Sequence, residues 1–196
     1  MRGVSMKLFL SLSLSAIALV VLTPIALSCV VPRTLDEQMY LAGDEVVVGR
    51  VVGIEERWVK DQGGESVPWT LVNFRVEESY LTGAKEYDVS FYFRGGVRPG
   101  TPAASITPSS EDVREGRRLL VFLARRALGE RLFGPGVFQV DSYAEVYRVL
   151  DYKDTTGVER QVVLGKGSGF AFPNNEFLSD ARAHVALASA RKQQGK

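Results

Sequence analysis

One cysteine and one histidine in 196 residues are the chain's sharpest scarcities. A lone Cys29 excludes any intramolecular disulfide, so the fold must hold by packing. With His184 the only imidazole, a Cys/His zinc site within the chain is excluded too, and no cofactor is expected. A surplus of either charge is also missing, with 24 Lys+Arg against 23 Asp+Glu. Nucleic-acid binding rests on neutralising phosphates, so a near-neutral chain is not expected to seek it. There are no internal repeats. No acidic residue occurs before Asp36.

That last absence frames the one long apolar run. Arg2 and Lys7 precede an uncharged stretch from Leu8 to Val31, interrupted by Pro24 and ending in Ala26-Leu27-Ser28-Cys29. A positive start, an apolar middle and small residues at the end are the parts of a secretory signal; Met6 is an alternative start. Three outcomes are open. Ala26 and Ser28 fit ordinary cleavage before Cys29. Leu27-Ser28-Cys29 resembles a bacterial lipobox, whose cysteine is acylated and becomes the first mature residue. Uncleaved, the run is long enough to span a bilayer. The lipid-anchored form is the reading carried forward. Removing residues 1–28 leaves 168 residues and takes away Arg2 and Lys7, so 22 Lys+Arg face 23 Asp+Glu. That length suits one domain with a real core.

The mature chain reads as mainly β. A polar lead from Pro32 to Gln38 precedes Met39-Tyr40-Leu41, and Asp44–Glu56 follows as a long β-branched strand. Gly49 and Gly53 within it predict bends or close backbone approach, as at barrel corners. Lys60–Gly64 is a hairpin loop. In Trp69–Glu78, Val72, Phe74 and Val76 alternate with polar residues at period two. After a turn at Tyr80–Gly83, Val89, Phe91 and Phe93 share one face of a third strand, completing a meander. Residues 95–112 are rich in Gly, Pro, Ser and Thr and are read as a mobile surface connection. Arg117–Ala124 predicts a strand buried on both faces, and Gly134-Pro135-Gly136 turns into a fifth strand at Val137–Val140. Ala144–Tyr152 and Val158–Leu164 flank Lys153–Gly157 as a hairpin, expected to be an appendage or edge. Gly165–Gly169 is read as a flexible connector. Leu178, Ala181, Val185 and Ala188 recur at helical spacing with Ser179 as N-cap, and Arg191–Lys196 should fray.

Chemistry is sparse. A Ser-His-Asp or Cys-His arrangement would need His184, which reads as a solvent-facing helix residue. Glu55-Glu56 and Glu77-Glu78 bring to mind the paired acids of glycoside hydrolysis. Neighbours on a strand point to opposite faces, so each doublet is expected to be a solvated strand end. Gly165-Lys166-Gly167-Ser168-Gly169 lacks the spacing of a phosphate loop. Trp58, Trp69, Tyr80, Tyr87 and Tyr92 are candidates for a binding face on the barrel.

One ordered set of motifs carries a family resemblance: Cys29 with Pro32 soon after, Met39-Tyr40-Leu41, Asp44–Val51, Phe74–Glu78, Leu81-Thr82-Gly83 and Glu115–Phe122. The order resembles that of the inhibitory domain of tissue inhibitors of metalloproteinases, of the NTR-like superfamily. It is closer still to cysteine-poor bacterial exported proteins of that type. The resemblance spans about Cys29 to Val140 and implies an OB-like barrel. It also implies that the free amino group and carbonyl of Cys29 chelate the catalytic zinc of a protease.

The sequence thus predicts a signal at 1–28, an OB-like five-stranded antiparallel barrel with an appended hairpin at 29–172, and a C-terminal helix and tail at 173–196. The expected function is a non-enzymatic binding or interaction module of the bacterial envelope or its secreted fraction, meeting an unidentified protein or envelope ligand. Its membrane contact would run through a lipid on Cys29. The alternatives are a metalloproteinase inhibitor acting through Cys29 and an exported hydrolase whose carboxylates are not identified.

Overall fold

The long, glycine-bent strand at the start of the domain sets the architecture. The structure, a computed structural model, describes residues 34–60, 63–102 and 107–194. All of them belong to the unit Val31–Lys196. The elements run α1 (Leu35–Ala42), β1 (Glu45–Lys60), β2 (Ser66–Ser79), β3 (Tyr87–Arg94), β4 (Arg118–Arg125) and α2 (Ala127–Phe133). After them come β5 (Phe138–Gln139), β6 (Val146–Lys153), β7 (Glu159–Val163), β8 (Glu176–Phe177) and α3 (Leu178–Gln194).

β1 pairs antiparallel with β2 and β2 with β3, the expected meander. The short β5 runs parallel to β3 and antiparallel to β4, and β4 returns to pair with β1. The order β1-β2-β3-β5-β4-β1 closes a five-stranded, OB-like barrel with one parallel seam. Closure requires β1 to serve two neighbours and turn a corner. Two register shifts supply the bend, one between Val48 and Gly49 and one between Val51 and Gly53. They leave Glu77 of β2 and Val52 of β1 without opposite residues in the ladder.

Period-two alternation divides the apolar residues between two cores. Val47, Val51, Val72, Phe74, Phe91, Leu119, Val121 and Leu123 fill the barrel. Val46, Val48, Leu120, Phe122, Tyr147 and Phe172 point the other way, beneath α1 and α3. β4 is therefore buried on both faces, as its unbroken apolar run predicted. α3 contributes Leu178, Ala181, Val185 and Ala188, the four residues expected from helical spacing.

Several expectations need correction. The polar lead is largely α1: Thr34 caps it with a full capping box closed by Glu37, and Gln38 is buried with its amide donating to the Ala144 carbonyl. α3 begins at Leu178, so Ser179 lies inside the helix. α3 continues through Arg191 and Lys192 to Gln194, where a frayed end was expected; residues 195–196 lie outside the described residues. Arg191 pairs with Asp36 at 3.4 Å, and the Lys192 ammonium donates to the Met39 carbonyl at 2.7 Å, covering the open end of α1. The hairpin of β6 and β7 is an appendage only at its tip. Its base pairs with β4 and buries Val146, Tyr147, Val149 and Val163.

The connector at 165–169 is built as well. The amides of Lys166 and Gly167 donate to the carbonyls of Phe172 and Pro173, both at 3.0 Å. A Cβ on Gly165 would fall 2.3 Å from the Asn174 carbonyl carbon. The fold folds this segment back on itself to bring Phe172 into the core beside Tyr147.

Candidate functional site

The β1–β2 hairpin extends past the barrel, pairing Glu56–Lys60 with Ser66–Thr70. α2, in the connection between β4 and β5, lies against its base. Gly129 makes that approach possible, because a Cβ there would stand 2.2 Å from the Tyr92 ring. Tyr92 is fully buried, with Trp69 at 5.6 Å and Phe133 at 5.0 Å between ring centroids, and its hydroxyl donates to Gln139. The Arg57 guanidinium covers the Phe133 ring at 5.4 Å.

Between hairpin and helix runs a groove of about 390 Å³. Val59, Val67, Trp69, Leu128 and Leu132 form its apolar floor, and Lys60, Arg94 and Arg131 bring positive charge to it. Among the described residues no acidic side chain lines it. OB barrels take ligands at this position, over strands β2 and β3 and between the β1–β2 and β4–β5 connections.

A larger groove of about 540 Å³ lies between the end of β2, the β6–β7 hairpin and the start of α3. Its charges are of both signs and engage one another. Arg182 pairs with Glu78 at 2.6 Å, while Arg160 sits over Phe177 and reaches Asp154 at 3.5 Å. Of these two grooves, the first is the one whose described lining charges are all of one sign.

The carboxylate doublets do not form acid pairs. Glu55 binds Arg57 at 2.6 Å on an exposed face. Glu56 turns the other way and accepts from the amides of Val97 and Arg98 and the hydroxyl of Thr101. Burial works against its charge, yet those donors and the Arg98 charge hold its carboxyl below the ordinary value. Glu56 thereby fastens the first part of the 95–112 segment; Thr107, bonded to the Arg94 carbonyl, and a turn between Ser109 and Asp112 hold the last part. The described part of that segment is pinned, where a mobile connection was expected. Residues 103–106 lie outside the described residues. Glu77 bridges Arg50 and Arg118, and Glu78 meets Arg182 and Lys85.

His184 is half exposed on α3, as expected, with Nδ1 2.8 Å from Glu176. Burial raises the Glu176 carboxyl, and the His184 contact opposes that rise. The five candidate aromatic residues do not share a face. Tyr92 is in the core, Tyr80 packs under Arg182, and Trp58 and Trp69 occupy adjacent ladder positions and so face opposite ways. Only Trp69 lines the groove. Cys29, Ala26 and Ser28 lie outside the described residues. Among the described residues no helix is long and apolar enough to cross a membrane.

The rest of the groove lining, from Val59 and Lys60 to Leu128, Arg131 and Leu132, does not stand out as functional in the sequence. Their available signal was weak: Leu128 and Leu132 at i,i+4 in a seven-residue helix with no side-chain cap. No family model, curated protein or solved structure matches the chain.

Proposed function

We propose that this chain is a non-enzymatic binding module, exported and held in the bacterial envelope by a lipid on Cys29. In this reading its barrel receives an acidic, apolar-bearing segment of a partner protein in the groove between the β1–β2 hairpin and α2. The observation that carries it is the charge of that groove: an apolar floor flanked by Lys60 and Arg131 with, among the described residues, no acid in the lining, where an OB-like barrel offers its ligand face. A leucine or aromatic side chain would cover Trp69 and Leu132. Flanking carboxylates would meet Lys60 and Arg131, adding specificity and encounter rate. A small apolar anchor with charged flanks suits modest affinity, since a groove of this size excludes a large buried interface.

Selection of random displayed peptides on the native domain tests the groove. Enriched peptides should combine acids with a leucine or aromatic residue, and the Lys60→Glu/Arg131→Glu double variant should bind them at least about tenfold more weakly. Enrichment of basic sequences, or binding indifferent to the double variant, would remove the proposal. Mass spectrometry of the native amino terminus tests the anchor, with an acylated Cys29 expected. A mature chain that starts upstream of Cys29, or at an unmodified Cys29, would refute it.

A further inference from the structure

Toward the start of β1, away from the ligand groove, lies a notch of about 430 Å³ walled by Arg50, the turn Arg114–Arg117, Arg118 and the β6 residues Val149–Asp151. Four arginines line it: Arg50 from β1, Arg114 and Arg117 from the turn, and Arg118 from the start of β4. The acids in its lining are Glu115 and Asp151.

The arginines are unequally engaged. Arg118, only 11% exposed, donates one Nη2 ion-pair contact to Glu77. Its Nη1 is 3.8 Å from Asp151, too far for a hydrogen bond, and both Nη1 and Nε are buried without an acceptor. Arg117, 13% exposed, lies 3.7 Å from Glu111, and its Nε is likewise buried without an acceptor. Three buried guanidinium nitrogens beside one surface notch are costly to leave unpaired. Arg50 and Arg114 stand at the mouth with exposed side chains. Glu77 holds Arg50 Nε at 3.2 Å as well as Arg118 Nη2, which leaves the outer nitrogens of Arg50 for a ligand. Asp151, the acid of the notch lining beside Arg118 Nη1, is 68% exposed and can swing away.

We propose that this notch binds a tetrahedral oxyanion, phosphate or sulfate, either free or carried as a monoester on a larger molecule. Arg50 and Arg114 grip the anion at the mouth. Displacement of Asp151 opens Arg118 Nη1 to its inner oxygens, and the neighbouring Nε–H groups of Arg117 and Arg118 sense the bound charge. Guanidinium forks approaching from several directions match a tetrahedral anion better than a planar carboxylate.

The test is nitrogen-15 NMR of the arginine Nε–H resonances in the native domain, titrated at constant ionic strength with inorganic phosphate, glycerol phosphate or chloride. Saturable shifts of Arg117 and Arg118 Nε–H with both phosphates, absent with chloride, are expected. Equal affinity for the two phosphates assigns the site to the free anion, and tighter binding of the ester assigns it to a carried group. Arg50→Gln/Arg114→Gln, at exposed positions, should weaken binding at least about tenfold. Asp151→Asn should tighten it several-fold by removing the competing acceptor. Non-saturable shifts, shifts equal to those with chloride, or an affinity unchanged in both variants would overturn the proposal.

Discussion

Replacing Gly49 with alanine is expected to cost at least about 3 kcal/mol, against a total stability of about 5–15 kcal/mol for a domain of this kind. Gly49 lies where β1 shifts register against β2 while still pairing with β4. A Cβ there would stand 2.1 Å from the Arg75 carbonyl oxygen and 2.9 Å from both its carbon and a Phe74 ring carbon. Two of those three atoms are backbone and cannot rotate aside. Relief requires β2 to move away, which also withdraws the fully buried Phe74 from the barrel. Gly53, in the same strand, is the control. Its Cβ would meet only Asn73 side-chain atoms at 3.5 and 3.9 Å, which is ordinary contact. Gly53→Ala is therefore expected to be neutral or to stabilise by up to about 1 kcal/mol through the unfolded chain. Urea unfolding followed by circular dichroism separates the two. Similar midpoints for both variants would show that close packing at Gly49 is not what shapes the barrel corner.

That contrast also marks how far the sequence could be read. Two glycines in a β-branched strand announced a bent strand, but only the fold distinguishes the one pressed against a carbonyl from the one beside a movable side chain. β4 was legible because its apolar run needs burial on both faces, and α3 because Leu178, Ala181, Val185 and Ala188 leave no other face to bury. α1 was obscured by Gln38, a polar residue whose burial is satisfied by a carbonyl far along the chain. Its capping box, Thr34 with Glu37, was the local signal that could have revealed it. The charges along β6 and β7 disguised a base that shares the core with Tyr147 and Phe172. Trp69 was visible as a candidate, while the opposite wall of its groove comes from α2, a helix too short for its pattern to stand out. Binding surfaces assembled from distant segments leave little trace in local periodicity.

The domain is expected to be most stable near pH 10 and to lose that stability steeply by about pH 12. Two opposite linkages set the curve. Burial lowers Lys166 from 10.5 to about 8, with the Arg148 charge reinforcing and the Asp112 charge opposing the shift. Its ammonium is enclosed by the Tyr143 and Tyr147 rings at 5.0 and 5.3 Å and donates to the Tyr143 carbonyl. Between about pH 8 and 10.5 the folded state holds fewer protons at Lys166 than the unfolded state, so stability rises with pH, by about 3 kcal/mol at most. Tyr92 and Tyr147 act in the other direction. Burial raises both from 10.0 to about 12; the nearby charges of Asp141 and Glu145 add to the shift, while hydrogen bonds to the phenols reduce it. Their contribution is complete below pH 10 and is lost as pH rises through 12, about 3 kcal/mol for each fully buried phenol. Urea midpoints measured across this range should climb, peak and fall. Lys166→Met should flatten the climb and raise stability at neutral pH, because an apolar side chain of similar length fills the aromatic cradle without a desolvated charge. The falling limb should remain, since it belongs to the tyrosines. A Lys166→Met profile that still climbs above pH 8 would place the linkage elsewhere.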